Sequence, residues 1–337
     1  MASQTVVAGM ETLSTTTIHV FMGASSVHDP LTVPRWDQRK MPLDRWASFG
    51  AAMTPLVLWI GCSTDVLNLG KATVIPFSFD PPVLVSELVA TGEKSSNPTL
   101  TGDLLEIYFT SSRNSEQDIW MAQRSVRTDA FGPPTAVAAA NSTSRETSSA
   151  ISQDGLSLWF GSDRDGGLGN LDIWKTTRSD RASVWSVPRN LASLNSPGKD
   201  IPRPPGLHDL AMPMASDRAV AGVYQTMMAS RPTPTTDFGA PSAIPELTDK
   251  NGVADGFLTD DGLYLFMAKG TPSDLYITQR LSLTTPFGPL IPLAELNTAA
   301  NENDPWLSPD QTTFCFSSDR GDGTSQIYMA TVHPRTP

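Results

Sequence analysis

Hydrophobic and polar residues alternate along this chain in short runs, not in the threes and fours of an amphipathic helix. Leu104-Leu105-Glu106-Ile107-Tyr108-Phe109, Leu156-Ser157-Leu158-Trp159-Phe160, Leu263-Tyr264-Leu265-Phe266 and Thr313-Phe314-Cys315-Phe316 are such runs. Alternation over a few residues with aromatic content predicts half-buried strands. Asp154-Gly155 and Asp261-Gly262 stand just before two of them and suit hairpin turns that need positive φ. A polar loop and a second aromatic strand follow each run. The loops are Ser111-Ser112-Arg113, Ser162-Asp163-Arg164 and Ser317-Ser318-Asp319-Arg320. The second strands carry Asp118-Ile119-Trp120, Asp172-Ile173-Trp174, Asp274-Leu275-Tyr276 and Gln326-Ile327-Tyr328.

An aromatic followed closely by Pro keeps the same beat. It occurs at Phe79-Asp80-Pro81-Pro82, Phe131-Gly132-Pro133-Pro134, Trp185-Ser186-Val187-Pro188, Phe238-Gly239-Ala240-Pro241 and Phe287-Gly288-Pro289. The steps between the aromatics are 52, 54, 53 and 49 residues. Self-similarity at this period means stacked supersecondary units. Each unit has a short strand, a turn, an aromatic strand, a polar loop and another aromatic strand. The aromatic-x-Pro segment opens a fourth. After Tyr328 the chain ends within a few residues, so the last unit lacks a fourth strand, while a spare one stands at Phe79–Leu88. The expectation is an all-β fold: a five-bladed β-propeller of four-stranded antiparallel blades over 79–337. The N-terminal strand pairs with the last blade, which closes the ring and removes its open edges. The third unit is degenerate. Asp217-Arg218 and Val223-Tyr224 keep its pattern faintly, and Arg203–His208 is irregular.

The run Ser152-Gln153-Asp154-Gly155, Phe160-Gly161-Ser162-Asp163-Arg164, Gly166-Gly167, Asp172-Ile173-Trp174 resembles the WD40-like repeat of the TolB-type β-propellers. Ser308-Pro309-Asp310 with Phe316–Arg320 matches it again. The resemblance covers roughly residues 79–330 and is faintest in the third unit. It implies a propeller of the bacterial cell envelope whose business is binding other proteins. TolB's extra N-terminal domain has no counterpart in 63–78, so TolB's own role is not implied.

Composition narrows the classes. The 28 Pro and 24 Gly favour turns over long helices, and the net charge of -11 argues against nucleic acid and anionic membrane surfaces as partners. Residues 1–40 carry no periodic pattern and read as an extension or an over-long start. Met41–Cys62 has a short lead with Arg45, an apolar run from Phe49, and Gly61-Cys62 at its end. The run is too short to span a bilayer and suits a signal-peptide core. It resembles a lipoprotein signal, which implies lipidation at Cys62 and an outer-membrane or periplasmic-side location, anchored by lipid alone. Residues 63–78 read as a linker.

The candidate chemistry is sparse. Asn97, Ser148, Asp255 and Asp304 stand at equivalent places in the first strands, with Asp200 near the same place in the third unit. First strands line a propeller's channel, so these side chains should ring one mouth, first as a solvated acidic rim of strand-start turns and otherwise as a place for a cation or ligand. Asp200, Asp255 and Asp304 are the candidate acid and base for a glycoside hydrolase or lyase, since five-bladed glycosidases use three pore carboxylates. Asp163, Asp165, Asn170 and Asp172 give one loop a calcium-loop flavour. Recurrence of its flanks in sibling units favours a structural turn, so no cofactor is expected, with Ca2+ the ion such a loop would take. His208 is the one histidine well inside the repeats, which disfavours a multi-histidine zinc site. The leading expectation is a monomeric, non-catalytic scaffold for an envelope protein or peptidoglycan-associated partner. The rivals are the hydrolase and a carbohydrate-binding lectin with an exposed Trp or Tyr.

Overall fold

The computed structural model describes residues 75–335 apart from Ser115. The extension, the signal-like segment with Cys62, and nearly all of 63–78 lie outside the described residues.

Two short strands open the fold, β1 (Phe77–Phe79) and β2 (Val83–Leu84). Blade one follows as β3 (Ser95–Leu100), β4 (Glu106–Asn114), β5 (Glu116–Gln123) and β6 (Thr135–Ala136). Blade two is β7 (Glu146–Ile151), β8 (Ser157–Ser162), β9 (Asp172–Thr177) and β10 (Arg189–Asn190). Blade three is β11 (Asp200–Pro202), β12 (Ala211–Ser216), β13 (Gln225–Ser230) and β14 (Ser242–Ala243). Blade four is β15 (Ala254–Leu258), β16 (Tyr264–Lys269), β17 (Asp274–Gln279) and β18 (Ile291–Pro292). Blade five is β19 (Glu302–Leu307), β20 (Thr313–Ser318) and β21 (Gln326–Pro334). Each blade is an antiparallel meander in chain order, and β1 and β2 both pair with β21. First strands of neighbouring blades pack side by side (β3 on β7, β7 on β11, β15 on β19), β12 packs on β15 between blades three and four, and β19 touches β3, so the ring closes.

The fold is the five-bladed propeller that the repeat predicts. The closing blade differs in detail. β2 is its fourth strand, and β1 adds a fifth by pairing Phe77 with Pro334 and Phe79 with Val332. The aromatic-x-Pro strands are only two residues long, because the prolines before them donate no ladder hydrogen bond.

Two arginine clasps explain the recurring motifs. In the first, a fully buried acid opens the first strand. Glu146 accepts hydrogen bonds from Ser142 N (2.8 Å), Ser142 Oγ (2.7 Å), Ser162 Oγ (2.7 Å) and Arg164 Nη2 (2.9 Å). Glu302 takes the same four donors from Thr298, Ser318 and Arg320. The arginine's other contacts are a carbonyl, Ala140 or Leu296, and the aromatic rings of its blade. Four donors on one carboxylate offset its desolvation. The middle residue of Ser-Asp-Arg is equally local: Asp163 and Asp319 accept the backbone N–H of Arg145 and Asn301.

In the second clasp, an arginine just after the third strand lies over the aromatic of the Phe-x-Pro segment. Arg124 covers Phe131, Arg178 Trp185, Arg231 Phe238 and Arg280 Phe287, each within 4.3–4.7 Å of the ring centre. Each Nε donates to a hairpin-turn carbonyl: Leu104, Gly155, Asp209 or Gly262. The aromatic beat of the sequence is therefore the lid of a cation–π contact in four blades.

Blade three corrects the expected register in two places. The counterpart of Asp172-Ile173-Trp174 is Gln225-Thr226-Met227, not Val223-Tyr224, since Thr226 faces Ala215 as Ile173 faces Gly161. Asp200 is the counterpart of Glu146 and Glu302: it pairs with Ser216 and accepts Ser196 N, Ser196 Oγ, Ser216 Oγ and Arg218 Nη2.

Candidate functional site

Four expected mouth residues do share one backbone position. Asn97, Ser148, Asp255 and Asp304 have φ of 53°, 54°, 58° and 57°. All four fall where the register of the first two strands slips by a β-bulge. The left-handed conformation explains the residue types, since Asn and Asp tolerate it better than most. Blade three has no bulge there. Asp200, Ile201 and Pro202 face Ser216, Ala215 and Met214 in regular register. Proline cannot take positive φ. Asp200 is therefore drawn into the blade's clasp, away from the other acids.

Arg203 occupies the space instead. It is 6% exposed, and its Nη1 donates to Asp304 Oδ1 of blade five at 3.0 Å. Its Nη2 forms an ion pair with Asp255 of blade four. Asp304 also accepts Asn97 Nδ2 (2.6 Å), Asn97 N (3.1 Å) and Ser317 Oγ (2.5 Å). Burial lowers the proton affinity of the Arg203 guanidinium, and Asp304 works against that. The cluster ties blades one, three, four and five at the axis. Ser148 stays apart from it, with its N–H on Thr110 Oγ1.

This geometry answers the acid–base reading. A general base needs a free carboxylate lone pair within reach of substrate. Both Asp304 oxygens are taken by four donors, and the nearest cation is shared with Asp255. Asp200 is fully buried in its own blade. Asp255 and Asp304 share Arg203, while Asp200 is bound to Ser196, Ser216 and Arg218 of its own blade.

The calcium-like loop is also held by hydrogen bonds. Asp172 accepts the N–H of Leu168 and Gly169 and the Asn190 amide. Asp165 and Asn170 are exposed, and Asp163 holds Arg145. Among the described residues, no three His, Cys, Asp or Glu side chains gather for a metal. Cys315 is buried without a partner, and burial pushes its thiol up.

The opposite ends of the first strands carry a different site. Four blades turn there through Ser/Thr-x-Asp. Thr101 with Asp103, Ser152 with Asp154, Thr259 with Asp261 and Ser308 with Asp310 are joined side chain to side chain. Each Asp also takes the N–H two residues on. Although burial alone would raise it, hydrogen bonds from Ser308, Thr312 and Arg127 hold the Asp310 carboxyl down at about 2. In blade three the equivalent positions are Gly206 and His208. Gly206 sits where an added Cβ would meet Leu258 O at 2.3 Å. Leu207, His208 and Asp209 are left-handed in succession, with φ of 53°, 54° and 63°. Each such non-glycine residue costs on the order of 1 kcal/mol.

That turn reaches blade four. His208 N and Nδ1 both meet the Asp260 carboxylate, at 2.7 and 2.8 Å, and Gln153 Nε2 of blade two donates to the same carboxylate at 3.2 Å. The imidazole is 75% exposed. Its Nδ1 is engaged by the acid, and the rest of the ring faces outward. Next to it, burial pushes the Asp209 carboxyl up to about 6, and Arg231 only partly opposes this. Asp209 Oδ1 is buried without a hydrogen bond. A cavity of about 260 Å³ opens beside these residues. Buried Phe257, Trp306, Leu258 and Leu307 line it together with Pro204 and Pro205, and Gln153, His208, Asp260 and Asp261 supply polar groups. In the sequence His208 reads as an ordinary loop residue. The signal that marks it is the missing Ser/Thr-x-Asp in one turn out of five.

No protein-family model matches the chain, and no curated protein matches it. Solved structures do. A family 117 glycoside hydrolase from the marine bacterium Zobellia galactanivorans gives a TM-score of 0.52 at 12% identity, over 76% of this chain and 90% of that one. The catalytic domain of a GH62 α-L-arabinofuranosidase from Coprinopsis cinerea gives 0.50 at 11% identity, over 76% and 96%. TolB from Acinetobacter baumannii gives 0.46 at 19% identity, over 73% of this chain and 56% of TolB. At such identities the likeness is one of fold.

Proposed function

We propose that this chain is a non-catalytic propeller of the cell envelope that binds a protein through the turn-bearing end of its ring. The observation that carries the reading is the contrast between the two ends of the first strands. At one end the carboxylates are consumed by Arg203, Asn97 and Ser317. At the other, blade three gives up the internal Asp turn of its siblings and presents an exposed His208 beside a cavity with an apolar lining. Strain gathered at a loop that lines a cavity is a pointer to binding. The envelope placement rests on the apolar run that ends at Gly61-Cys62. It gives Cys62 the role of lipid attachment point.

The test is capture of a partner from solubilised envelope by the immobilised full chain. His208→Asp with Asp209→Gly gives blade three the Asp-Gly of blades two and four and removes the imidazole, while Gly206 keeps its close approach to Leu258 O. Capture should fall at least about tenfold, the loss of one good interfacial contact. Equal capture by this variant and the wild type would exclude the turn face as the binding surface.

A further inference from the structure

We infer that the cavity beside His208 takes a single lysine or arginine side chain presented by the partner, an assignment that rests on the protein-binding reading above. Size is the first argument. At about 260 Å³ the cavity falls just below the roughly 300–1,000 Å³ of small-molecule sites, and suits one long side chain entering from a larger surface. The lining is the second. Pro204, Pro205, Phe257 and Trp306 offer an apolar sleeve, which the methylene stem of Lys or Arg fills while its head stays at the polar end.

Charge selects the head group. Asp260, Asp261 and His208 are the ionisable residues that line the cavity, and no Lys or Arg does. Asp310, one residue beyond the lining residue Pro309, is already paired with Arg127. Asp261 Oδ1 accepts Thr259 Oγ1 and Leu263 N, at 2.6 and 2.9 Å. Among the described residues no hydrogen bond reaches its Oδ2. Asp260 is held in place by His208 and Gln153. These carboxylates are acceptors, and a guanidinium or ammonium is a pure donor. An anionic ligand would meet two carboxylates and no Lys or Arg.

The probes are N-acetyl-L-arginine methylamide and N-acetyl-L-lysine methylamide, titrated into the full chain while the Trp306 indole is followed by NMR. Trp306→Phe assigns the signal. N-acetyl-L-glutamate methylamide and N-acetylglucosamine are the comparison ligands. Saturable shifts are expected with the two basic amides alone, and Asp261→Asn, which keeps an oxygen for the turn, should weaken them about tenfold. Shifts with the sugar or the glutamate amide instead of the basic amides would overturn the assignment, as would no shift at all. Excess arginine amide should also displace the captured partner. If the double variant abolishes capture but the basic amides neither bind nor displace, the cavity assignment fails and the protein-binding reading stands. If capture survives in the double variant, both fail.

Discussion

Arg203 of blade three and Asp304 of blade five meet between non-adjacent blades, Nη1 to Oδ1 at 3.0 Å, with 6% and 7% of their surfaces exposed. Adjacent blades touch through their sheets, but this pair spans the ring. With Asp255 it is a triad of two acids and one base in which each charge depends on the others. Truncating one member of a buried ion pair leaves an uncompensated charge and costs about 3–5 kcal/mol. Arg203→Met should therefore destabilise the protein by about that amount in denaturant titrations. Adding Asp304→Asn to it should recover part of the loss. If Arg203→Met costs less than about 1 kcal/mol, the triad is not a structural tie.

Asp209 gives the stability a pH signature. Its carboxyl titrates near 6 in the folded protein because burial disfavours the charged form, against about 3.8 as its ordinary value. Between those values the folded state holds a proton that the unfolded state has released. Stability therefore falls as pH rises through this window, by about 3 kcal/mol in all. Asp209→Asn keeps the left-handed backbone and cannot ionise. It should be the more stable protein at pH 7, by about the same amount, and no more stable at pH 4. A wild type and variant that differ equally at both values would remove Asp209 from the account.

The repeat made the fold legible because every blade shares it. Ser162-Asp163-Arg164 and Ser318-Asp319-Arg320 are legible as scaffold for the same reason, and the structure shows the acid they serve. Their partners Glu146 and Glu302 carry no local mark, since the bonds run across 16 and 18 residues. Asp200 lies near the mouth position, as the sequence suggests, but two residues before it, and Pro202 stands at that position without the bulge of its siblings. Arg203 and His208 stayed hidden for a different reason. Each matters through a residue more than 50 positions away, Asp304 and Asp260, and only the packing of separate blades around the ring brings those together. An arginine between prolines at the end of a first strand was the available hint.

The clasp position also separates charge from shape. Glu302 accepts four hydrogen bonds, but blade one has Ser95 at the equivalent place, with Arg113 still bound to Ser111 and Leu88. Glu302→Leu strands Arg320 and three further donors and should cost about 3–5 kcal/mol. Ser95→Ala removes a hydroxyl in a blade built without the acid and should cost about 1 kcal/mol. Thermal or denaturant melts of the two variants check the difference. Similar losses would mean that the buried acid adds nothing beyond filling space.

Closure is the feature most open to a direct test. Phe77 of β1 is 2% exposed and lies against Tyr264 and Phe266 of blade four, with ring centres 5.4 and 5.9 Å apart. Its own strand pairs with β21 of blade five. One side chain thus bonds the start of the ring to both of its last two blades. Phe77→Ala removes that packing and should cost about 3–5 kcal/mol. The loss should also be local before it is global. The amide of Arg335, which donates to Pro76 O at the seam, loses that partner, so its hydrogen exchange should quicken by more than that of Ser157–Ser162 in the distant blade two. Uniform acceleration at both places would show that the ring unfolds as one unit, and that β1 acts on total stability with no separate role at the seam.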